Sequence, residues 1–246
     1  MSNSSMVSYT KISPNKTSPR NHVIDTITIH CMAGNLSIEA CGNVFAPSTR
    51  QASSNYGIGS DGRVGMYVEE KDRSWCSSSS SNDNRAITIE VANDGGEETG
   101  WHVSDKAYNA LINLVTDICK RNNIKKLLWK GDKSLIGQVD KQNMTVHRWF
   151  AAKACPGDYL YNLHGQIAAQ VNAKLGSGTV TTPTTDSYLV KVTTSCLNIR
   201  SGPGTSYSIT GTITNYGTYT IVQTSGNWGK LKSGAGWICL DYTTRV

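Results

Sequence analysis

A stretch of small and polar residues divides this chain into two parts with different patterns. Residues 176–185 read Gly-Ser-Gly-Thr-Val-Thr-Thr-Pro-Thr-Thr, without apolar periodicity, and such a composition is typical of a linker. Strand and helix patterns are mixed before this stretch, whereas only short strand patterns follow it. We therefore predict a first domain over residues 1–175, a linker over 176–187 and a second domain over 188–246.

Alternating apolar and polar residues predict the strands of the first domain. In the segment from Ile24 to His30, Ile27 and Ile29 share one face, and the strand ends at the histidine. In the segment 86–92, Glu90 lies among apolar neighbours. A surface glutamate and a functional carboxylate are both compatible with this pattern, and alternation alone favours the surface position.

Apolar residues with helical spacing predict two helices in the same domain. One follows the capping residue Ser104, and the other runs from Asp158 to about Lys174. Strands and helices in this order predict the α/β class, with a mixed central sheet flanked by helices. Residues 1–20 are polar, so we expect an exposed arm there, with order beginning near Val23.

The second domain has a different pattern. Its 59 residues contain no helical stripe but several short alternating runs, such as 219–222 and 236–239, separated by Gly, Asn and Ser. A chain of this length and pattern predicts a small all-β barrel of about five strands. This part has five basic residues and one acidic residue. It should therefore be attracted to polyanions, which include nucleic acid, acidic lipid and an anionic cell wall.

Composition excludes several classes of protein. No run of about 18 apolar residues occurs, and Met1 to Arg20 is polar, so we expect neither a membrane span nor a signal peptide, and synthesis in the cytoplasm. The seven cysteines are odd in number and scattered, which is not typical of a disulfide framework. We expect most of them to be reduced.

One short segment concentrates chemically active side chains. His147, Lys153 and Cys155 occur within nine residues. Histidine and cysteine are good zinc ligands, and a lysine can stabilise a developing negative charge. A catalytic zinc needs a third protein ligand, and His30, at the end of a predicted strand, is a candidate. A structural hydrogen bond is the other role open to His30.

Four motifs in order resemble one enzyme family. They are Thr28-Ile-His-Cys31, Asn55-Tyr-Gly57, the strand 86–91, and His147 with Lys153-Ala-Cys-Pro-Gly157. Over residues 20–175 they resemble the zinc-dependent N-acetylmuramoyl-L-alanine amidases of the phage-lysozyme and peptidoglycan-recognition type. In the second domain, the motifs at 197–204, 227–230 and 236–238 resemble a bacterial SH3-like wall-binding domain.

The amidase resemblance implies a set of site residues. Zn²⁺ would be bound by His30, His147 and Cys155. Beside them, Glu90 would take the proton of a zinc-activated water, Lys153 would stabilise the oxyanion, and Tyr56 would orient water or substrate. The reaction would cleave the amide bond between N-acetylmuramic acid and L-alanine in peptidoglycan.

The resemblance also implies a biological setting. The chain would be a bacteriolytic endolysin or autolysin that acts on the bacterial cell wall, which it reaches extracellularly or by a holin-type route. Its partner would be peptidoglycan, with neither nucleic acid nor membrane as a partner. A monomer is expected, although the sequence leaves the oligomeric state open.

Three other functions remain open at this point. Cys155 as nucleophile with His147 as base would make the chain a wall peptidase. The same fold could bind peptidoglycan without cleaving it, although such a binder would not need the cysteine as a thiolate. Charge alone would allow nucleic-acid binding by the second domain.

Overall fold

A computed structural model describes residues 2–176, 187–205, 207–225 and 227–246 of the chain. The chain separates into two compact units, Met1–Gly178 and Thr179–Val246. Of the linker predicted over 176–187, residues 177–186 lie outside the described residues.

The first unit contains eight strands and four α-helices among its described residues. The strands are β1 (Val7–Thr10), β2 (Lys16–Thr17), β3 (Thr26–Cys31), β4 (Tyr56–Ile58), β5 (Val64–Met66), β6 (Arg73–Ser74), β7 (Ala86–Val91) and β8 (Met144–Thr145). The helices are α1 (Ile38–Phe45), α2 (Ser80–Arg85), α3 (Asp105–Arg121) and α4 (Gly157–Gly176). Six strands form the central sheet in the order β1-β5-β4-β7-β3-β8, and β2 pairs with β6. The predicted α/β class with a mixed central sheet is confirmed.

The pairing of β3 with β7 sets the two faces of the sheet. These strands are parallel, and His30 pairs with Glu90 while Ile29 pairs with Ile89. Because side chains alternate along a strand, the isoleucines lie on one face and the two polar residues on the other. The apolar stripes of α3 and α4 share one buried core with the isoleucine face. The opposite, more polar face carries His30 and Glu90, and α1 covers part of it with an apolar cluster that includes Cys41, Phe45 and Tyr67.

The expectation of an exposed arm over residues 1–20 is wrong. Strand β1 adds a parallel edge strand to the sheet beside β5. Arg20 is buried, and its guanidinium donates to the backbone carbonyls of Glu70, Asp72 and Asn84, among others. A polar segment can therefore be buried here because its hydrogen bonds are made within the protein.

The second unit is all-β, as predicted. Its strands in the described residues are β9 (Tyr188–Val192), β10 (Leu197–Arg200), β11 (Ile209–Ile213), β12 (Thr218–Ser225), β13 (Trp228–Leu231), β14 (Trp237–Cys239) and β15 (Thr243–Arg245). They form a sheet in the order β11-β10-β14-β13-β12-β9-β15. The described residues form seven short strands, two more than the expected five. A separate core lies inside, formed by Val190, Val192, Leu197, Ile213, Ile221, Leu231 and Ile238.

Helix ends and helix composition agree with the sequence patterns. The hydroxyl of Ser104 accepts a hydrogen bond from the backbone N–H of Ala107 and so caps α3 as predicted. In the described part of the chain, none of the helices combines the length and apolar character that crossing a bilayer requires.

Candidate metal centre

Three of the predicted site residues meet beside the end of β3. His30 is the penultimate residue of β3. The neighbouring strand β8 pairs with β3. His147 follows two residues after β8, on the same side of the sheet. Cys155 lies in the turn before α4. The ligand atoms of these three residues all lie within 4.8 Å of one another. The fold therefore joins residues that are up to 125 positions apart in the sequence.

The spacing of these atoms suits a single ion. His30 Nδ1 lies 3.4 Å from Cys155 Sγ. Nitrogen and sulfur ligands of one tetrahedral zinc, at about 2.1 and 2.3 Å from the metal, lie about 3.6 Å apart. His30 Nε2 is buried and has no hydrogen-bond partner among the described residues. The donor set and its spacing therefore fit zinc.

Burial sets the protonation of the two imidazoles. Burial, with a smaller contribution from the neighbouring His147, lowers the pKa of His30 to about 3. Burial also lowers the pKa of His147, with a contribution from the charge of Lys153. Both rings are therefore neutral at pH 7, which is the form that binds metals. The contact with Cys31 and burial raise the pKa of the Cys155 thiol in the metal-free protein.

Glu90 lies on the polar face of the sheet, next to His30. Its Oε2 is buried and, within the described ranges, accepts no hydrogen bond, while its Oε1 is 3.8 Å from Cys76 Sγ. Burial, with a smaller contribution from the nearby Cys31, raises the pKa of Glu90 to about 8. The interpretation of Glu90 as a surface residue is therefore wrong. One carboxylate oxygen remains available to a group in the site.

A cleft of about 350 Å³ opens onto these residues. Glu90, His147, Lys153 and Cys155 line it together with Arg50 and several apolar side chains. The Lys153 side chain is exposed at this cleft. The apolar part of the wall includes Met32, Ala33, Leu36, Val44, Phe45 and Trp101.

The structure does not bring Tyr56 to this cluster, which corrects the role that the resemblance implied for it. Tyr56 pairs with Ile89 across β4 and β7, so its side chain lies on the apolar face of the sheet. Its hydroxyl donates to Glu70 Oε1 at 2.7 Å and accepts from the backbone N–H of Ser4 at 3.0 Å. Burial raises the pKa of this phenol well above its usual value. The hydroxyl is therefore committed to a structural network.

Several residues near the site were missed by sequence reasoning. Cys76 contacts Glu90, and Ser78 Oγ lies 3.0 Å from His147 Nε2. Both belong to the serine-rich segment that precedes α2, in which the sequence shows only loop composition. His30, Cys76 and Glu90 form a second group whose ligand atoms lie within 4.8 Å of one another. The only sequence signal was the position of this loop next to the strand that carries Glu90.

Comparison with known proteins identifies the family. The family model described as N-acetylmuramoyl-L-alanine amidase matches residues 20–158, which is more than half of the chain. The chain therefore belongs to this family of peptidoglycan amidases. A bacterial SH3 domain model matches residues 195–243.

Solved structures show similarity at low sequence identity. An endolysin N-acetylmuramoyl-L-alanine amidase, LysCS from Clostridium intestinale URNW, is 18% identical, with 68% of this chain and 93% of that chain covered and a TM-score of 0.46. A mutant endolysin from Bacillus subtilis is 16% identical, with coverages of 66% and 97% and a TM-score of 0.49. No curated protein matches the chain.

Proposed function

We propose that this amidase is zinc-dependent and that His30, His147 and Cys155 hold the ion. The observation that carries the proposal is that these three ligand atoms lie within 4.8 Å of one another, with His147 and Cys155 lining the cleft and His30 buried behind them. Two neutral imidazoles and one thiolate are a typical ligand set for a catalytic zinc with an open fourth position. When bound there, zinc lowers the pKa of water and polarises the substrate carbonyl.

Glu90 is the proposed general base. It lies next to His30 without belonging to the three-ligand set, and its Oε2 has no partner in the described chain. The charge of a bound ion would lower the raised pKa of Glu90, and the ionised carboxylate then accepts a proton from the attacking water and returns it to the leaving alanine nitrogen. Lys153, exposed at the cleft, stabilises the negative charge that develops on the carbonyl oxygen.

Metal removal tests this proposal. We expect a chelator to abolish release of peptide from purified peptidoglycan, and about one equivalent of Zn²⁺ to restore it. Cys155→Ala should lose both zinc and activity, whereas the matched change Cys196→Ala, at an exposed cysteine of the second unit, should lose neither. Activity that survives complete metal removal but is abolished by thiol alkylation would instead show a cysteine peptidase.

Product analysis tests the bond that is cleaved. We expect mass spectrometry of digested peptidoglycan to find new L-alanine amino termini and intact glycan chains. New amino termini within the stem peptide would indicate a peptidase, and new reducing sugar ends would indicate a glycosidase.

We further propose that the predicted second domain, residues 188–246 within the second unit, binds the cell wall while residues 1–175 carry the catalytic site. The support is the match to a bacterial SH3 domain model and the excess of basic residues in this part. All proposed ligands come from one chain, so the site needs no second copy, and we propose a monomer. Light scattering after size exclusion measures the oligomeric state.

A further inference from the structure

The segment Cys76–Ser78 lies against two proposed functional residues at once. Ser78 Oγ is 3.0 Å from His147 Nε2, and Cys76 Sγ is 3.8 Å from Glu90 Oε1. The Ser78 side chain is exposed, so it contributes little to core packing. The contact of Ser78 with the imidazole of His147 therefore suggests a role at the site.

Asp83 holds this segment in place. The carboxylate of this residue, which is 2% exposed, accepts from the backbone N–H of Cys76 at 2.9 Å and from that of Ser77 at 3.1 Å. It also accepts from the Ser77 hydroxyl at 2.6 Å. Three hydrogen bonds to one buried carboxylate leave the segment little freedom.

Asn82 ties the same segment to β3, which contains His30, and to β8, which ends two residues before His147. Its Nδ2 donates to Thr28 Oγ1 at 3.0 Å and to Ser77 Oγ at 3.1 Å, and its Oδ1 accepts from Thr145 Oγ1 at 2.9 Å. Thr28 precedes His30 by two residues, and Thr145 precedes His147 by two residues. The serine segment and both histidines are therefore positioned by one buried network.

The backbone of Ser78 has an unusual conformation. Its φ is 64°, in the left-handed region that non-glycine residues rarely adopt. Because the hydrogen bonds of Asp83 and Asn82 anchor the preceding residues, this backbone conformation is held in place. The conformation leaves the Ser78 hydroxyl within hydrogen-bonding distance of the His147 imidazole.

We propose that Ser78 is a positioning residue that selects the metal-binding nitrogen of His147. A neutral imidazole has one N–H and one lone pair. When Nε2–H donates to Ser78 Oγ, the lone pair is on Nδ1, and this nitrogen is directed to the metal. The inference rests on the proposed function, because it takes His147 to be a zinc ligand.

Zinc affinity of the full chain tests the role of Ser78. We expect Ser78→Ala and Ser78→Gly to bind Zn²⁺ about 10- to 100-fold more weakly than the wild type, measured by competition with a chromophoric chelator. Glycine adopts φ near 64° without strain, so the two variants separate loss of the hydroxyl from strain of the backbone. Ser80→Ala, a nearby exposed serine, is the matched control and should bind zinc like the wild type.

The outcomes distinguish this inference from the proposed function. Unchanged or tighter binding in both Ser78 variants overturns the inference, and tighter binding would mean that the hydroxyl competes for the nitrogen that the metal needs. Weaker binding in the alanine variant alone also overturns it, because the backbone would then be the cause. If the wild type itself binds no zinc, the proposed function fails.

The tautomer of the His147 imidazole in the metal-free protein provides a second, independent readout. Long-range ¹H–¹⁵N spectra should show His147 protonated on Nε2 in the wild type, and this preference should weaken in Ser78→Gly. Protonation of His147 on Nδ1 in the wild type would overturn the inference. The thermal midpoint of each variant checks that it remains folded.

Discussion

Glu90 is the residue whose environment most directly suggests a chemical step. Its Oε2 is buried and lacks a hydrogen-bond partner in the described residues, next to a proposed zinc ligand. Glu90→Gln keeps the shape but removes the proton acceptor, so we expect zinc content to stay the same and the rate to fall about 10²- to 10⁴-fold. Glu98→Gln, at an exposed site, is the control. Unchanged turnover of Glu90→Gln would remove Glu90 from the mechanism.

For Tyr56 we expect a role in stability and none in catalysis. Its hydroxyl bonds to Glu70 and Ser4 on the apolar face of the sheet. We expect Tyr56→Phe to lower the free energy of unfolding by about 1–3 kcal/mol, because buried polar groups lose a partner. Turnover should not change. A large loss of turnover without loss of stability, measured by denaturant unfolding, would restore a catalytic role for this residue.

His164 makes the stability of the first unit depend on pH. It is fully buried, with Nδ1 2.7 Å from the Leu160 carbonyl oxygen, and burial lowers its pKa to about 4 despite this hydrogen bond. The unfolded chain takes up a proton near pH 6.5, whereas the folded chain does so only near pH 4. The part of the free energy of unfolding that comes from the neutral, buried His164 is thus fully present above pH 6.5. It decreases by about 3 kcal/mol as the pH falls towards 4, because only the unfolded chain takes up the proton in this range.

Replacement of His164 tests this dependence. His164→Gln, which does not titrate, should lose less stability between pH 7 and pH 4 than the wild type, as measured by urea unfolding at each pH. The matched variant His22→Gln, at an exposed position, should follow the wild type. Parallel curves for wild type and His164→Gln would contradict the assignment.

At the scale of elements, β1 is the least expected part of the fold. It pairs with β5, and Met6 and Val7 pack against the main core. We expect deletion of residues 2–12 to lower the free energy of unfolding by at least about 2 kcal/mol, because apolar burial and strand hydrogen bonds are lost. The half-exposed Ile12 provides a control, and Ile12→Ser should have a small effect. An unchanged denaturation midpoint after the deletion would mean that the arm is dispensable.

At the scale of the whole molecule, the two units should cooperate through effective concentration. A wall-binding unit tethered to the catalytic unit raises the local concentration of substrate. We expect deletion of residues 179–246 to reduce lysis of whole cells more than hydrolysis of small soluble muropeptides. Adding the second unit as a separate protein should not restore lysis. Equal losses on both substrates would mean that the second unit has a structural role.

Local patterns in the sequence were sufficient for much of this molecule. The alternation around Ile27 and Ile29 predicted a core strand, the stripe after Ser104 predicted a helix, and the change in composition near residue 176 predicted two parts. These features depend on neighbours within a few residues, so periodicity reveals them. The residue types and close spacing of His147 and Cys155 likewise pointed to metal chemistry, because both side chains are good zinc ligands.

The tertiary structure decided which residues share a site. Alternation separates the two faces of a strand but does not say which face meets a helix, so the pairing of β4 with β7 was needed to turn Tyr56 away from His30. Ser78 could not be selected from its serine run, because its contact with His147 spans 69 positions. Such contacts depend on strand order and on a buried hydrogen-bond network. Both arise only when distant segments pack together.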